Sequence, residues 1–197
     1  KDKPYCFQIV NGRKVEVDIR YSLSHKKNIS LVADRDFDHS YPLIIDPWVT
    51  YYGSTSNDSG EGISNDSNGN AIMVGTTSSL TFPVSAGAYQ PSSAGGSEAF
   101  LVKFDNDGNR LWATYFGGDD TDVGHSIATD GNDDIWICGT SDSFVFPTTA
   151  GAYQISNGGQ DDAFIAKFNG SGALLYSTFL GDIEADESYD LTIDGNN

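Results

Sequence analysis

Acidic residues recur in three short stretches, and they are the residues whose spacing best suggests chemistry. The stretches read STSNDSGEG, GDDTDVGHS and DIEADESYD, and they follow one another at intervals of 64 residues. Loop carboxylates of this kind could bind Ca²⁺, which takes about six to eight oxygen ligands, or a cationic partner. The candidate calcium ligands are Asp58, Glu61, Asp119, Asp120 and Asp122. A solvated acidic loop without a bound ion is the favoured alternative.

Catalytic arrangements find little support in the sequence. A carboxylate pair could serve a glycosidase, but acids that recur at a fixed period indicate architecture, whereas an active site needs two carboxylates in different environments. The histidines are His25, His39 and His125, and no G-x-S-x-G or C-x-x-C motif accompanies them. The stretch DNDGN at 105–109 lacks EF-hand spacing and predicts a hairpin turn. We therefore expect no enzymatic activity, with a carboxylate-pair glycosidase as the alternative.

Charge and composition exclude several classes of function. The net charge of −17 arises from 28 acidic and 11 basic residues. This sign repels phosphate backbones, so nucleic acid is not an expected partner. The sequence has no run of about 18 apolar residues, so membrane insertion is not expected. Cys6 and Cys138 are too few for a disulfide framework, and the apolar run DIWICGT predicts that Cys138 is buried.

The segments that carry the acids belong to a 64-residue repeat. TYYG begins at Thr50, TYFG at Thr114 and TFLG at Thr178. Aligned without a gap, residues 50–113 and 114–177 are identical at 26 of 64 positions. A period of this kind predicts that each copy forms one structural unit.

Each copy contains four strand-like runs rich in β-branched and aromatic residues. In the second copy they are HSIATD (125–130), DIWICGT (134–140), AFIAKF (163–168) and LLYSTFLG (174–181). The turn sequences DGNDD and NGSG join them into two hairpins. Four antiparallel strands per repeat predict a β-propeller blade, and a β-helix or an immunoglobulin-like sandwich fits the period less well.

One phrase of nine residues returns almost unchanged between the second and third predicted strands. FPVSAGAYQ at 82–90 becomes FPTTAGAYQ at 146–154. The prolines stop strand pairing, and Tyr89 and Tyr153 can pack their rings against the adjoining sheet. A packing role for the phrase is favoured over a ligand-binding role.

These stretches resemble a known family of repeats. GHSIATDGNDDIWICGTSDSFVFPTTAGAYQ and GEGISNDSNGNAIMVGTTSSLTFPVSAGAYQ are similar to the bacterial seven-bladed β-propeller repeat (SBBP). The preceding segment, through YPLIIDPWVTYYG, resembles the end of an N-terminal β domain of large secreted proteins, especially from Bacteroidetes. The resemblance implies an extracellular or cell-surface location, type IX secretion as export cargo, often linked to gliding motility, and an extracellular protein or glycan ligand.

The sequence therefore predicts an all-β chain of two parts. Residues 1–49 form the end of the N-terminal β domain, with a hairpin at Asn11–Gly12 and further strands in NISLVAD and YPLIIDPWV. Residues 50–197 form propeller repeats, divided as 50–113, 114–177 and a partial copy at 178–197. Most basic residues lie in the first part: Lys1, Lys3, Arg13, Lys14, Arg20, Lys26, Lys27 and Arg35.

The alignment also predicts strands at both borders of the repeats. Thr50–Gly53 corresponds to the fourth strand of a blade, and it could close a ring with the last blade or stay with the preceding domain. The partial copy supplies the first strand of a third blade. Since the resemblance implies seven blades, we expect a fragment of a larger propeller protein. The expected function is a non-enzymatic scaffold for adhesion, display or binding, without a cofactor except for the calcium alternative.

Overall fold

The computed structural model describes residues 5–23, 29–33, 38–46 and 50–194. Its regular elements are strands: β1 Tyr5–Val10, β2 Arg13–Glu16, β3 Ile19–Leu23, β4 Ile29–Ala33, β5 Ile44–Asp46, β6 Asp58–Asn65, β7 Ala71–Thr77, β8 Glu98–Phe104, β9 Arg110–Phe116, β10 Asp122–Thr129, β11 Ile135–Ser141, β12 Asp162–Phe168 and β13 Leu174–Leu180. No helix within these residues is long and apolar enough to cross a membrane. Some predicted features lie outside the described residues. They are both ends of the predicted strand NISLVAD (28 and 34), the end of YPLIIDPWV (47–49), the final turn at 195–197 and five of the basic residues: Lys1, Lys3, Lys26, Lys27 and Arg35.

The chain divides into two compact units, Lys1–Val49 and Thr50–Asn197. The N-terminal unit contains a three-stranded sheet of order β2-β1-β5 and a separate hairpin of β3 and β4. The β1–β2 turn has positive φ at Asn11 (51°) and Gly12 (77°), as an Asn-Gly hairpin turn requires. A small core holds this unit together: Cys6, Val17 and Ile19, with Ala33 and Leu43 packed against them.

The second unit consists of two four-stranded antiparallel sheets, which confirms the predicted all-β blades. The sheet orders are β6-β7-β8-β9 and β10-β11-β12-β13. Each strand of the first blade begins 64 residues before its counterpart in the second. The phrases at 82–90 and 146–154 lie between the second and third strands of their blades. We call β6–β9 the first blade and β10–β13 the second blade.

The strands predicted at the two borders of the repeats are not formed. Thr50–Gly53 and residues 187–194 have no strand conformation. A strand requires a backbone partner, and residues 187–194 instead contact the second blade through side chains, such as the Ser188 hydroxyl that donates to the Gly139 carbonyl at 2.7 Å. Tyr52 nevertheless packs edge-on against Phe82 of the first blade, with ring centroids 5.2 Å apart.

Aromatic side chains fill the space between the two blades, which we call the blade junction. Phe116, at the end of the first blade, is fully buried against Phe146, Phe164 and Phe168 of the second blade. Both cysteines are buried and neither forms a disulfide: Cys6 lies in the N-terminal unit, and Cys138 lies in the second blade, where its burial was predicted.

Candidate functional site

Four hairpin turns lie at one edge of the blades, which we call the turn edge. Each turn begins with an Asx residue, namely Asp66, Asp105, Asp130 or Asn169. Its Oδ1 accepts hydrogen bonds of 2.8 to 3.0 Å from the backbone N–H groups two and four residues later. Hydrogen bonds from Asn109 hold the pKa of Asp105 below its ordinary value. The stretch DNDGN is thus a self-bonded hairpin turn, as predicted.

Both lysines of the blades pair with acids of the turn edge. Lys103 Nζ lies 2.8 Å from Asp66 Oδ2, and these side chains are 7% and 2% exposed. Lys167 Nζ lies 3.2 Å from Asp130 Oδ2 and 2.9 Å from Asp134 Oδ2. Burial raises the pKa of Asp66, but the hydrogen bonds from Lys103 and Asn70 outweigh burial and lower it to about 2. These lysines and acids stabilise the turns by pairing with one another within the blades.

The turn edge also links the two blades. The backbone N–H and the hydroxyl of Ser67 donate to the carboxylate of Asp133 in the second blade, at 2.7 and 2.6 Å. Lys103 Nζ and Trp112 Nε1 both donate to the carbonyl of Gly170, at 3.0 and 3.1 Å. Asp133 has a φ of 62°, at the turn position where the other three turns have glycine. Asp133 therefore has a strained backbone at the position from which its side chain bridges the two blades.

The opposite edge carries the longer connections, and we call it the connection edge. Asp58 and Asp122 lie there as the first residues of β6 and β10. Oδ2 of each accepts a hydrogen bond of 2.7 Å from the backbone N–H four residues earlier, on Ser54 and Gly118. Asp186 repeats this bond at 2.9 Å. Asp58 and Asp122, two of the predicted calcium ligands, thus each use an oxygen to fix the start of a strand.

The other predicted calcium ligands lie in two places. Asp119 and Asp120 lie in the loop before Asp122, where Asp119 Oδ1 accepts the backbone N–H of Val145 at 2.8 Å. Glu61 lies in the first blade, at an irregularity in the pairing of β6 with β7. Among the described residues, no three His, Cys, Asp or Glu side chains are grouped so as to hold a metal. The calcium site stays a prediction for the oxygens that remain exposed.

A row of alternating acids and hydroxyls crosses each blade at the connection edge. The cross-strand partners are Asp58, Thr77 and Glu98 in the first blade, and Asp122, Ser141 and Asp162 in the second. The last acid of the first row meets the first acid of the second row across the blade junction. The rows thus join the two blades on the side opposite the turns.

Glu98 and Asp122 form this contact between the rows. Their side chains are 1% and 0% exposed. A Cβ atom placed on Gly117 would overlap Oε2 of Glu98 and Oδ2 of Asp122, so both oxygens face the same α-carbon. Oε1 of Glu98 accepts the backbone N–H groups of Ala94 and Gly95, at 2.7 and 2.9 Å. Gly117 ends the TYFG motif, and because it has no side chain, both carboxylates can lie against its α-carbon.

Burial raises the pKa of Asp122 to about 7. Hydrogen bonds from Ser141, Gly118 and Ser143 oppose this rise, and the charge of Glu98 adds to it. Since two carboxylates that meet away from water cannot both ionise readily, Asp122 keeps its proton to unusually high pH. This pair could not be recognised in the sequence, because its members are 24 residues apart and lie in different blades.

Other acids lie beside the buried rows: Asp120 is exposed, and Asp142 and Asp161 are half-buried. Burial and the charges of Asp161 and Asp120 raise the pKa of Asp142, so these three side chains lie near one another at the connection edge. We call them the acidic edge cluster. Residues 50–197 contain 21 acidic and three basic residues. The third base, Arg110, donates to the Tyr52 hydroxyl at 2.9 Å. All three bases are thus engaged within the unit.

A small cavity of about 110 Å³ opens at the blade junction, and we call it the junction pocket. Three segments line it: the repeated phrase at 85–89, the outer strand at 111–114 and the turn at 171–172 of the second blade. Tyr89 is 42% exposed, and its ring also contacts Phe116 and Phe168. The first copy of the phrase therefore has the predicted packing role and also forms one wall of a cavity, whereas the packing predicted for Tyr153 of the second copy is wrong, because that side chain is 80% exposed.

Comparison with known protein families agrees with this architecture. A family model for the beta-propeller repeat, SBBP, matches residues 111–147, from the outer strand of the first blade to the phrase of the second. A model described as a domain of unknown function, DUF7948, matches residues 1–48. No curated protein matches the chain. The second unit is therefore made of β-propeller blades, and the first is similar to a domain without an assigned function.

Proposed function

We propose that the chain is a non-enzymatic β-propeller scaffold that presents loops to an extracellular protein or glycan. The observation that carries the proposal is the division of charge in the blades. The basic side chains and the turn-edge acids that pair with them bind within the unit, whereas the acidic edge cluster reaches the surface of the connection edge, where Asp120 is exposed and Asp142 and Asp161 are half-buried. A rigid sheet with one acidic, exposed edge suits binding and display.

The location and export route follow from the resemblance of the repeats. Similar repeats occur in large secreted or surface proteins of Bacteroidetes, so we propose a bacterial cell-surface location, with adhesion as the role and type IX secretion as the route. Antibody labelling of intact cells tests this location. Labelling that requires prior permeabilisation of the cells would contradict it.

The alternative is a glycosidase that uses two carboxylates. The pair that the structure brings together is Glu98 and Asp122, and both side chains are buried. A glycosidase pair must contact the sugar from both sides of the scissile bond, which this pair cannot do as arranged. The observation favours the scaffold.

The deciding experiment measures binding and hydrolysis together. The purified chain is incubated with immobilised lysozyme, a basic protein, and separately with soluble polysaccharides whose reducing ends are assayed. We expect salt-sensitive binding to lysozyme that falls about tenfold when Asp120, Asp142 and Asp161 are changed to Asn. The matched control changes Asp105 and Asp107 of the turn edge to Asn and should keep the binding. Release of reducing ends that Glu98→Gln abolishes would overturn the scaffold in favour of the glycosidase.

A further inference from the structure

We propose that the junction pocket binds an uncharged hexopyranose ring, so that the repeated phrase supplies a glycan subsite between two blades. The inference rests on the proposed function, because it names one ligand class for the same scaffold. It differs in location from the acidic edge cluster, which lies on the connection edge.

The pocket holds about 110 Å³ and can admit one edge of a sugar ring, because its first wall is built from the smallest side chains. The phrase contributes Ala86, Gly87 and Ala88. Gly87 has a φ of 77°, and a Cβ atom placed there would meet nothing within 4 Å. The cavity therefore opens beside the backbone of the phrase, where a ring can approach closely.

Two aromatic side chains are held rigidly in the pocket walls. Tyr89 packs against Phe116 and Phe168, with ring centroids at 6.2 and 6.0 Å. Trp112 is fixed by its hydrogen bond to Gly170 and by Gly172, whose Cβ position would lie 3.0 Å from the indole ring. Rigid aromatic surfaces lose little entropy on binding, and they match the C–H face of a pyranose ring.

The charge of the pocket selects an uncharged ligand. None of its lining residues is charged, in a unit with 21 acidic and three basic residues. An anionic sugar would be repelled by the surrounding acids, and a cationic ligand would find its partners at the acidic edge cluster instead. The hydroxyl of Tyr89 has no hydrogen-bond partner within the described part of the chain, so it is available to a sugar hydroxyl.

The second copy of the phrase provides an internal comparison. Tyr153 replaces Tyr89 and is 80% exposed, and Tyr176 stands where the first copy has Trp112. In the described residues no turn of a following blade covers Tyr153, so the third wall is missing there. A subsite at the first junction should therefore depend on Tyr89 and not on Tyr153.

Saturation-transfer NMR on the full chain tests the proposal. The probes are maltohexaose, cellohexaose and mannohexaose at millimolar concentration, with hexagalacturonate as the charged control. We expect transfer to the ring C–H protons of at least one neutral probe and none to the charged probe. Tyr89→Phe keeps the ring and should weaken binding about three- to tenfold, and Trp112→Phe should weaken it at least as much. The matched controls are Tyr153→Phe and Trp136→Phe; Trp136 lies on β11 of the second blade, outside the junction pocket. Both should bind as the unsubstituted chain does.

The possible failures are distinguishable. If none of the neutral probes shows transfer, the subsite is overturned, while salt-sensitive lysozyme binding would still support the scaffold. If a neutral probe binds but both pocket substitutions leave its affinity unchanged, a glycan binds elsewhere and the junction pocket is the wrong location. An unchanged melting temperature of Tyr89→Phe shows that weakened binding does not come from unfolding.

Discussion

Phe116 of the first blade stands edge-on to Phe146 of the second blade, with ring centroids 5.1 Å apart and an interplanar angle of 75°. Tyr52 meets Phe82 in the same way 64 residues earlier, at 5.2 Å and 82°. Leu180 holds the corresponding position in the second blade and is 53% exposed. One position of the repeat is thus buried where the next blade covers it and exposed where the described residues leave it uncovered.

The first prediction concerns this position. Phe116→Ala should lower the free energy of unfolding by about 3–5 kcal/mol, because it leaves a cavity among buried rings. Leu180→Ala is the matched control and should cost less than about 1 kcal/mol, since its side chain is already half exposed. Urea denaturation followed by fluorescence measures both. Equal losses would show that the blade junction does not stabilise the unit.

The second prediction concerns pH. Asp122 binds its proton up to about pH 7 in the folded state, whereas the ordinary value is 3.8. The folded state therefore holds a proton that the unfolded state has lost. The free energy of unfolding should fall by about 2–4 kcal/mol as pH rises from about 4 to about 7, and then level off.

Melting temperatures measured from pH 5 to pH 8 test this dependence. Asp122→Asn should remove most of the slope, because Asn does not titrate. Asp58→Asn makes the equivalent change at the more exposed copy and should keep the slope. If both variants retain it, some group other than Asp122 controls the dependence.

The third prediction concerns the link between Ser67 and Asp133. Asp133→Gly removes both hydrogen bonds from Ser67. It also removes the backbone strain, because glycine adopts a positive φ freely, so the net loss of stability should be small. A double-mutant cycle with Ser67→Ala separates the two effects. We expect a coupling energy of about 1–2 kcal/mol, because the acceptor is charged. Strict additivity would mean that the hydrogen bond from the Ser67 hydroxyl to Asp133 contributes nothing.

The fourth prediction concerns calcium. Asp58, Asp119 and Asp122 already accept backbone N–H groups, which compete with a cation for the same oxygens. Adding millimolar Ca²⁺ or a chelator should therefore leave the melting temperature unchanged. A rise of several degrees with Ca²⁺ that Asp120→Asn removes would show that the exposed acids bind the ion, because a ligand bound only by the folded state stabilises it.

The strands could be predicted because each is a local pattern of apolar residues between turn residues, and the repeat gave every pattern twice. The contact of Glu98 with Asp122 could not be predicted, since burial of Asp122 depends on how one blade packs on the next. The strand predicted at Thr50–Gly53 shows the same limit. Its sequence matches Thr114–Gly117, of which residues 114–116 are paired at the end of β9, yet no neighbouring backbone pairs with Thr50–Gly53 in the described residues. The pocket at Trp112 likewise depends on a turn from the other blade.

The two buried thiols can report the opening of the two structural units. Cys6 lies in the N-terminal unit and Cys138 in the second blade, and neither forms a disulfide. A thiol reagent can reach each sulfur only when the surrounding unit opens, so the labelling rate of each cysteine measures the opening of one unit. Mass spectrometry of the labelled peptides would then give two rates from one sample, without any substitution. Coincident rates would show that the two units open together, and separate rates that each opens by itself.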